Sequence, residues 1–171
     1  DHGCILYFEM QATKGSGRIV PLGSIQKVMR ESIEAAAQYI KARHDDLGIS
    51  ADWRQNYDVA GLATYMGVPK EGSSAGMTIV VGIVSALKGI PVRNDIDLTG
   101  EITNMGKVLH VGGIQQKIRA AYEAGVKEVI IPGDNLKETE GLPSYILQAV
   151  KITPAYSIDL VLDAALVNKA N

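Results

Sequence analysis

The chain opens on strict alternation: from Cys4 to Ala12, Leu6, Phe8, Met10 and Ala12 fall on one side and Tyr7, Glu9 and Gln11 on the other, the period of a half-buried strand. Lys14-Gly15-Ser16-Gly17 has the glycines of a turn, and Arg18 to Leu22 reads as a return strand paired with the first in a hairpin. After Ser24, an N-cap residue, the period changes. Met29, Ile33, Ala36, Ala37 and Ile40 share one stripe between about Gln26 and Leu47, and Gly48 closes what is predicted to be a long amphipathic helix. Its outer face (Lys27, Arg30, Glu31, Glu34, Lys41, Arg43) has the mixed charge of a solvated helix surface.

Asp58 to Met66 reads as a second strand region, followed by a loop from Gly67 to Gly72. A helix starting near Ser73 or Ser74 is apolar almost all the way round (Met77, Ile79, Val80, Val81, Ile83, Val84, Ala86, Leu87), which predicts a central helix buried against a sheet and stopped by Gly89 and Pro91. Asp97 to Thr103 and Lys107 to Val111 form a second hairpin around Asn104-Met105-Gly106. Beyond it come a helix from about Gly113 to Ala124, a buried strand from Val126 to Ile131 stopped by Pro132, and helices over Leu142 to Ala149 and Ile158 to Val167. The pattern predicts a mixed α/β (α+β) fold in one domain spanning residues 1–171, without repeats, low-complexity tracts or a dividing linker.

Composition narrows the chemistry. The 171 residues are 46% hydrophobic and 21% charged, with a formal net charge of −2, so no global basic field favours nucleic acid or an anionic membrane. The single cysteine, Cys4, has no internal disulfide partner, and His2, His44 and His110 lack the spacing of a zinc cluster, so a reducing compartment, the cytoplasm, and metal-free chemistry are expected. The longest apolar run, Met77 to Leu87, is shorter than the roughly 20 residues of a membrane span. The chain begins at Asp1 rather than at methionine, as expected of a piece of a longer or processed protein.

Two features bear on catalysis. Gly72-Ser73-Ser74-Ala75-Gly76 stands at the start of the buried helix, where small residues admit a substrate backbone and free N–H groups face a developing anion. A serine there is placed to act as a nucleophile, or it caps the helix and nothing more. Nucleophilic serine needs a base, and none of the three histidines is placed to serve. On the helix after Gly113, the stripe through Ile114, Ile118 and Ala121 includes Lys117, a lysine in a core-facing position. Desolvation there makes an amine a usable general base, whereas a stem packed on apolar surface with its ammonium in water does not. Together the two point to a Ser-Lys dyad. The S-x-x-K strings Ser24 to Lys27 and Ser85 to Lys88 lack their partner motifs S-D-N and K-T-G, and neither a Walker loop nor a dinucleotide fingerprint occurs.

These residues resemble the proteolytic domain of Lon proteases. Pro69-Lys70-Glu71-Gly72-Ser73-Ser74-Ala75-Gly76 is similar to the family's P-K-D-G-P-S-A-G motif, Leu98 to Thr103 to its T-G-E-I-T strand, and Val108 to Lys117 to its V-L-P-I-G-G-x-x-x-K segment. The likeness runs in order through nearly the whole chain. It implies a ribosomal-protein-like βα fold and a serine endopeptidase in which Lys117 deprotonates Ser74. It also implies that Thr99 hydrogen-bonds near the lysine, that Glu71 pairs with it or is moved aside on activation, and that backbone N–H groups around Ser74, in the turn with Gly72 and Ser73, stabilise the oxyanion. Asn135 matches a further recurrent asparagine.

Ser73 and His110 replace family prolines, and the H-x-H stretch before the serine loop is missing, with Ala63 to Met66 in that region, which implies a divergent or archaeal-type member. No ATPase module lies in the chain. ATP and Mg are therefore expected to be used by a module outside it, unfolded or damaged proteins as substrates, and a ring of six as the assembly of the full-length protein. Two other readings stand beside this one. Gly72-Ser73-Ser74-Ala75 also resembles the phosphate loop of small-molecule kinases of the galactokinase and mevalonate kinase type, and a Lon-like domain can serve as a catalytically silent assembly ring.

Overall fold

The computed structural model describes residues 5–14, 19–21, 27–53, 57–66 and 76–167, with side-chain detail over 31–53 and 76–167. In order, the elements are β1 (Ile5–Lys14), β2 (Ile19–Pro21), α1 (Lys27–Ala42), α2 (His44–Leu47), β3 (Tyr57–Met66), α3 (Gly76–Lys88), β4 (Ile96–Leu98), β5 (Glu101–Ile102), β6 (Val108–Leu109), α4 (Ile114–Glu123), β7 (Glu128–Pro132), a 3-10 helix (Gly133–Gly141), α5 (Ser144–Ala149), β8 (Lys151–Ala155) and α6 (Ile158–Ala165). The mixed α/β class predicted from the sequence is the class observed. No described helix is long and apolar enough to cross a membrane.

The first hairpin needs correction. β1 pairs antiparallel with β3 over ten residues, from Ile5 opposite Met66 to Lys14 opposite Tyr57, and β2 joins the other side of β3 in parallel, giving the order β1-β3-β2. The turn residues Lys14 to Gly17 signal a reversal, but the ladder between the flanking strands is taken by a partner forty residues on. The Gln26 to Leu47 helix is also interrupted. Arg43 leaves helical geometry (φ −110°, ψ 20°), with its guanidinium drawn to Asp46 and Asp159 at 2.9 Å each, and α2 follows before Gly48 closes the segment at φ +71°.

The second sheet positions the site. β4, β7 and β8 run parallel in that order, with Asp97 opposite Val129, Leu98 opposite Ile130, and Glu128 to Pro132 opposite Lys151 to Ala155. Both crossovers step in the same direction across the sheet, so their helices lie on one face. On that face α4 and α5 bury Ile114, Ile118, Ala121 and Ile146 against Val129 and Ile131. The other face, through Leu98 and Ile130, belongs to a larger core with α1, the nearly all-apolar α3, and α6.

The Asp97 to Thr103 segment is two strands rather than one. β4 joins the parallel sheet, whereas β5 pairs with β6 in the predicted hairpin, Glu101 opposite Leu109 and Ile102 opposite Val108. Gly100 sits at the join, where a side chain would meet Met77 Cε at 2.8 Å and Pro132 Cγ at 3.3 Å. At one end of the sheet, Arg93 ties Asp95 and Glu128 together at 3.0 and 2.9 Å, and Thr153 donates to the same Glu128 carboxylate at 2.6 Å.

Candidate active site

Ser74, with Glu71, Gly72 and Ser73, lies outside the described residues. The wall behind it is described from Gly76 onward. Free N–H groups at the start of α3 need acceptors, and the segment joining β4 to β5 supplies one: Met77 N–H donates to Gly100 O at 3.0 Å. Thr78 Oγ1 donates to Leu98 O at 3.3 Å. Gly76 is a close approach of backbone to side chain, since a Cβ there would strike the Glu101 carboxylate and come within 3.1 Å of Ile102 N. Glu101 is fixed in turn, with Oε2 accepting from Ser32 Oγ at 2.8 Å and Oε1 from Ile102 N–H at 3.0 Å. Burial pushes its carboxyl above the usual range, while these two hydrogen bonds pull it back.

Lys117 lies on α4, the helix of the other core. Gly113 enters α4 at φ +66°, a backbone angle that side chains disfavour, and the first turn closes with Lys117 N–H on Gly113 O at 3.1 Å. Ile114, Ile118 and Ala121 pack under the sheet, as the stripe predicts, and Lys117 beside them is half-buried. Its ammonium donates to Gly112 O at 3.1 Å. The charged end therefore turns back over the helix entrance.

Thr99 is 5% exposed and continues the ladder from β4, its N–H donating to Ile130 O at 3.1 Å. It stands two residues beyond Asp97, on the side of the strand that Asp97 shares with Val129. The structure thus brings Thr99 to the face that carries α4.

Asn135, fully buried in the 3-10 helix, clamps the approach to α4: its Oδ1 accepts from Val111 N–H at 3.0 Å and its Nδ2 donates to Val111 O at 2.8 Å. The same Nδ2 donates to Glu138 Oε2 at 3.1 Å, and His110 Nε2 lies 2.6 Å from Glu138 Oε1. His110 first, then Asn135, hold the Glu138 carboxyl below the usual carboxylate range. The histidine in a family-proline position therefore helps fasten the loop before Gly112.

Two residues of the site are not singled out by the sequence. Glu101 lies inside a quoted motif, but its contact with the start of α3 depends on a fold that crosses between sheets. Asp97 is a buried carboxylate on a strand, and the one available signal is two polar residues, Asp97 and Thr99, on the same side of a strand whose other positions, Ile96 and Leu98, are apolar. Elsewhere, an open groove of about 510 Å³ between Arg43, Lys88, Asp159 and Leu166 lies at the end of α3 away from Gly76. Ser85 donates to Ile90 O, so the first residue of one S-x-x-K string has a local structural role.

Comparison with known proteins bears directly on this arrangement. The profile of the Lon protease (S16) C-terminal proteolytic domain matches residues 2–168. The chain is 42% identical over 165 residues to Lon protease 1 of Syntrophobacter fumaroxidans, 40% over 164 residues to the Lon protease of Geobacter metallireducens, and 39% over 164 residues to that of Vibrio parahaemolyticus. Each alignment takes in 96% of this chain and about a fifth of the relative, at 20%, 20% and 21% respectively.

Proposed function

Since the chain belongs to the Lon protease (S16) C-terminal proteolytic domain family, we propose that it is the serine endopeptidase domain of an ATP-dependent protease, with Ser74 as nucleophile and Lys117 as general base. The observation that carries this reading is the placement of Lys117: a half-buried lysine, its ammonium on Gly112 O, at the entrance of a helix packed beneath the sheet whose Leu98–Ile102 continuation braces the start of α3, two residues after Ser74 in the chain. A neutral Lys117 takes the Ser74 proton as Oγ attacks the peptide carbonyl. The resulting ammonium returns that proton to the departing amine, leaving an acyl-enzyme that water hydrolyses through the same base. Backbone N–H groups of the serine turn supply the oxyanion donors in this reading, and Glu71, Gly72, Ser73 and Thr99 support the dyad.

The chain spans about a fifth of the length of its curated relatives. ATP and Mg are accordingly assigned to a module outside it, unfolded proteins are the proposed substrates, a ring of six the proposed assembly, and the cytoplasm the proposed location. Ser73, His110 and the missing H-x-H stretch support a divergent member. An archaeal-type placement rests on Glu71, while the relatives reported above are bacterial. In the full-length protein, Ser74→Ala and Lys117→Arg should each abolish casein cleavage while leaving the thermal unfolding transition in place, because arginine keeps the charge but cannot accept a proton at working pH. Cleavage by Ser74→Ala at the parent rate would refute the proposal.

A further inference from the structure

Register places a second ionisable group on the same wall as Lys117. Asp97 lies opposite Val129 in the parallel ladder, and Val129 belongs to the cluster that α4 buries. Leu98, the next residue, lies opposite Ile130 and joins the other core. Successive strand side chains point to opposite faces, so Asp97 shares the α4 face of the sheet with Thr99. It is 7% exposed, and its Oδ1 accepts from Leu98 N–H at 2.9 Å.

Among the described residues, the charged groups around it are few. β7 presents Val129 and Ile131 to this face, and its Glu128 belongs to the opposite face with Arg93 and Thr153. Asp95 is engaged with Arg93. On α4, Arg119 and Glu123 are exposed, and Lys117 is the residue whose charge acts on Asp97.

We propose that Asp97 is a positioning residue of the hydrolytic site, a buried carboxylate on the α4 face of β4 that serves as the counter-charge against which Lys117 gains and loses its proton. This rests on the reading of Lys117 as the general base. When Lys117 takes the Ser74 proton, the positive charge that forms is met by the Asp97 carboxylate across the wall. When the ammonium gives that proton to the leaving amine, the attraction is released. No bond to Asp97 forms or breaks, and its own proton does not enter the balance. Burial pushes the Asp97 carboxyl up to about 7, with the Leu98 N–H and the Lys117 charge pulling it back, so it ionises around neutral pH.

Removing the carboxylate has two opposed effects. An amine without a nearby anion loses its proton at lower pH, so more of it is available as base. Its conjugate acid is also less stabilised, so each proton transfer is slower. In the full-length protein, Asp97→Asn should therefore move the rising limb of the pH profile of kcat/KM for a fluorogenic peptide about 1 pH unit lower and reduce the plateau about tenfold. Asparagine still offers an acceptor to Leu98 N–H, and Asp97→Ala serves as the second variant if the first is poorly folded.

The readout independent of turnover is the reactivity of Lys117 itself: competitive acetylation with acetic anhydride, followed by mass spectrometry across the same pH series, reports the midpoint at which the amine becomes free. That midpoint should fall in both Asp97 variants. Ser74-dependent hydrolysis with an unshifted limb and an unshifted Lys117 midpoint in Asp97→Asn overturns the role of Asp97 and leaves the peptidase reading standing. Hydrolysis that survives Ser74→Ala overturns the peptidase reading, and with it the positioning role of Asp97. The acetylation midpoint still reports separately whether Asp97 and Lys117 are coupled.

Discussion

Replacing Asn135 by alanine should destabilise the fold far more than an ordinary loss of one polar side chain. Asn135 is fully buried and satisfies both backbone groups of Val111, a residue itself 8% exposed, through contacts at 3.0 and 2.8 Å. Truncation leaves a buried N–H and a buried C=O unpaired, each costing about 1–3 kcal/mol, so the total is about 2–6 kcal/mol. For a domain of this size that corresponds to a fall in Tm of roughly 10 °C, read by differential scanning calorimetry. Asn135→Asp separates the two halves of the clamp. It keeps the acceptor for Val111 N–H but loses the donor, and at neutral pH it sets a carboxylate against Val111 O and Glu138. The introduced carboxyl would have to be protonated to donate, so this variant should be at least as unstable as the alanine variant at pH 7 and recover relative to it below about pH 4. An alanine variant within about 1 °C of the parent, or an aspartate variant as stable as the parent at pH 7, would refute the reasoning.

Gly76→Ala should lower stability by about 2 kcal/mol or more in denaturant titration, because the new methyl group meets the Ile102 backbone N at 3.1 Å and strikes the Glu101 carboxylate, a side-chain end held in place by Ser32 and the Ile102 N–H. Peptidase activity should fall further than stability does, since Gly76 leads out of the serine turn. Asp97→Asn should raise stability at pH 8. An acid whose folded value is about 7, against an ordinary value near 4, favours the folded state least where it is forced to ionise, so its penalty is absent below about pH 4, grows as pH rises toward 7 and is constant above. The gain on substitution is on the order of 4 kcal/mol at pH 8 and should vanish toward pH 4 in parallel thermal melts. A gain that is largest in acid would contradict it.

What the sequence makes legible depends on whether a residue's partners are near it in the chain. The stripe of Ile114, Ile118 and Ala121 is a property of one helix, and the β5–β6 hairpin around Asn104-Met105-Gly106 is a local reversal. Both are found as predicted. The return strand after Gly17 pairs with β3 rather than β1, because the ladder is decided by a segment forty residues away. β8 escapes prediction because Lys151-Ile-Thr-Pro-Ala has little alternation and contains Pro154, which a strand at the edge of a sheet tolerates. The polar Gly133–Gly141 stretch shows no period, and its 3-10 turns are held by contacts such as Asn135 with Val111. At the site, Lys117 and Thr99 are visible as motif positions. Asp97 is not, since its significance comes from which face of β4 meets α4. Ser74, Glu71, Gly72 and Ser73 rest on sequence alone.

The two hydrophobic clusters lie on opposite faces of a sheet of three short strands. The helix that follows Ser74 belongs to one and the helix that carries Lys117 to the other. How the start of α3 stands relative to Lys117 therefore depends on how both clusters seat on the same three strands. In the proposed dyad, catalytic competence is thus a relation between the two clusters rather than a property of either.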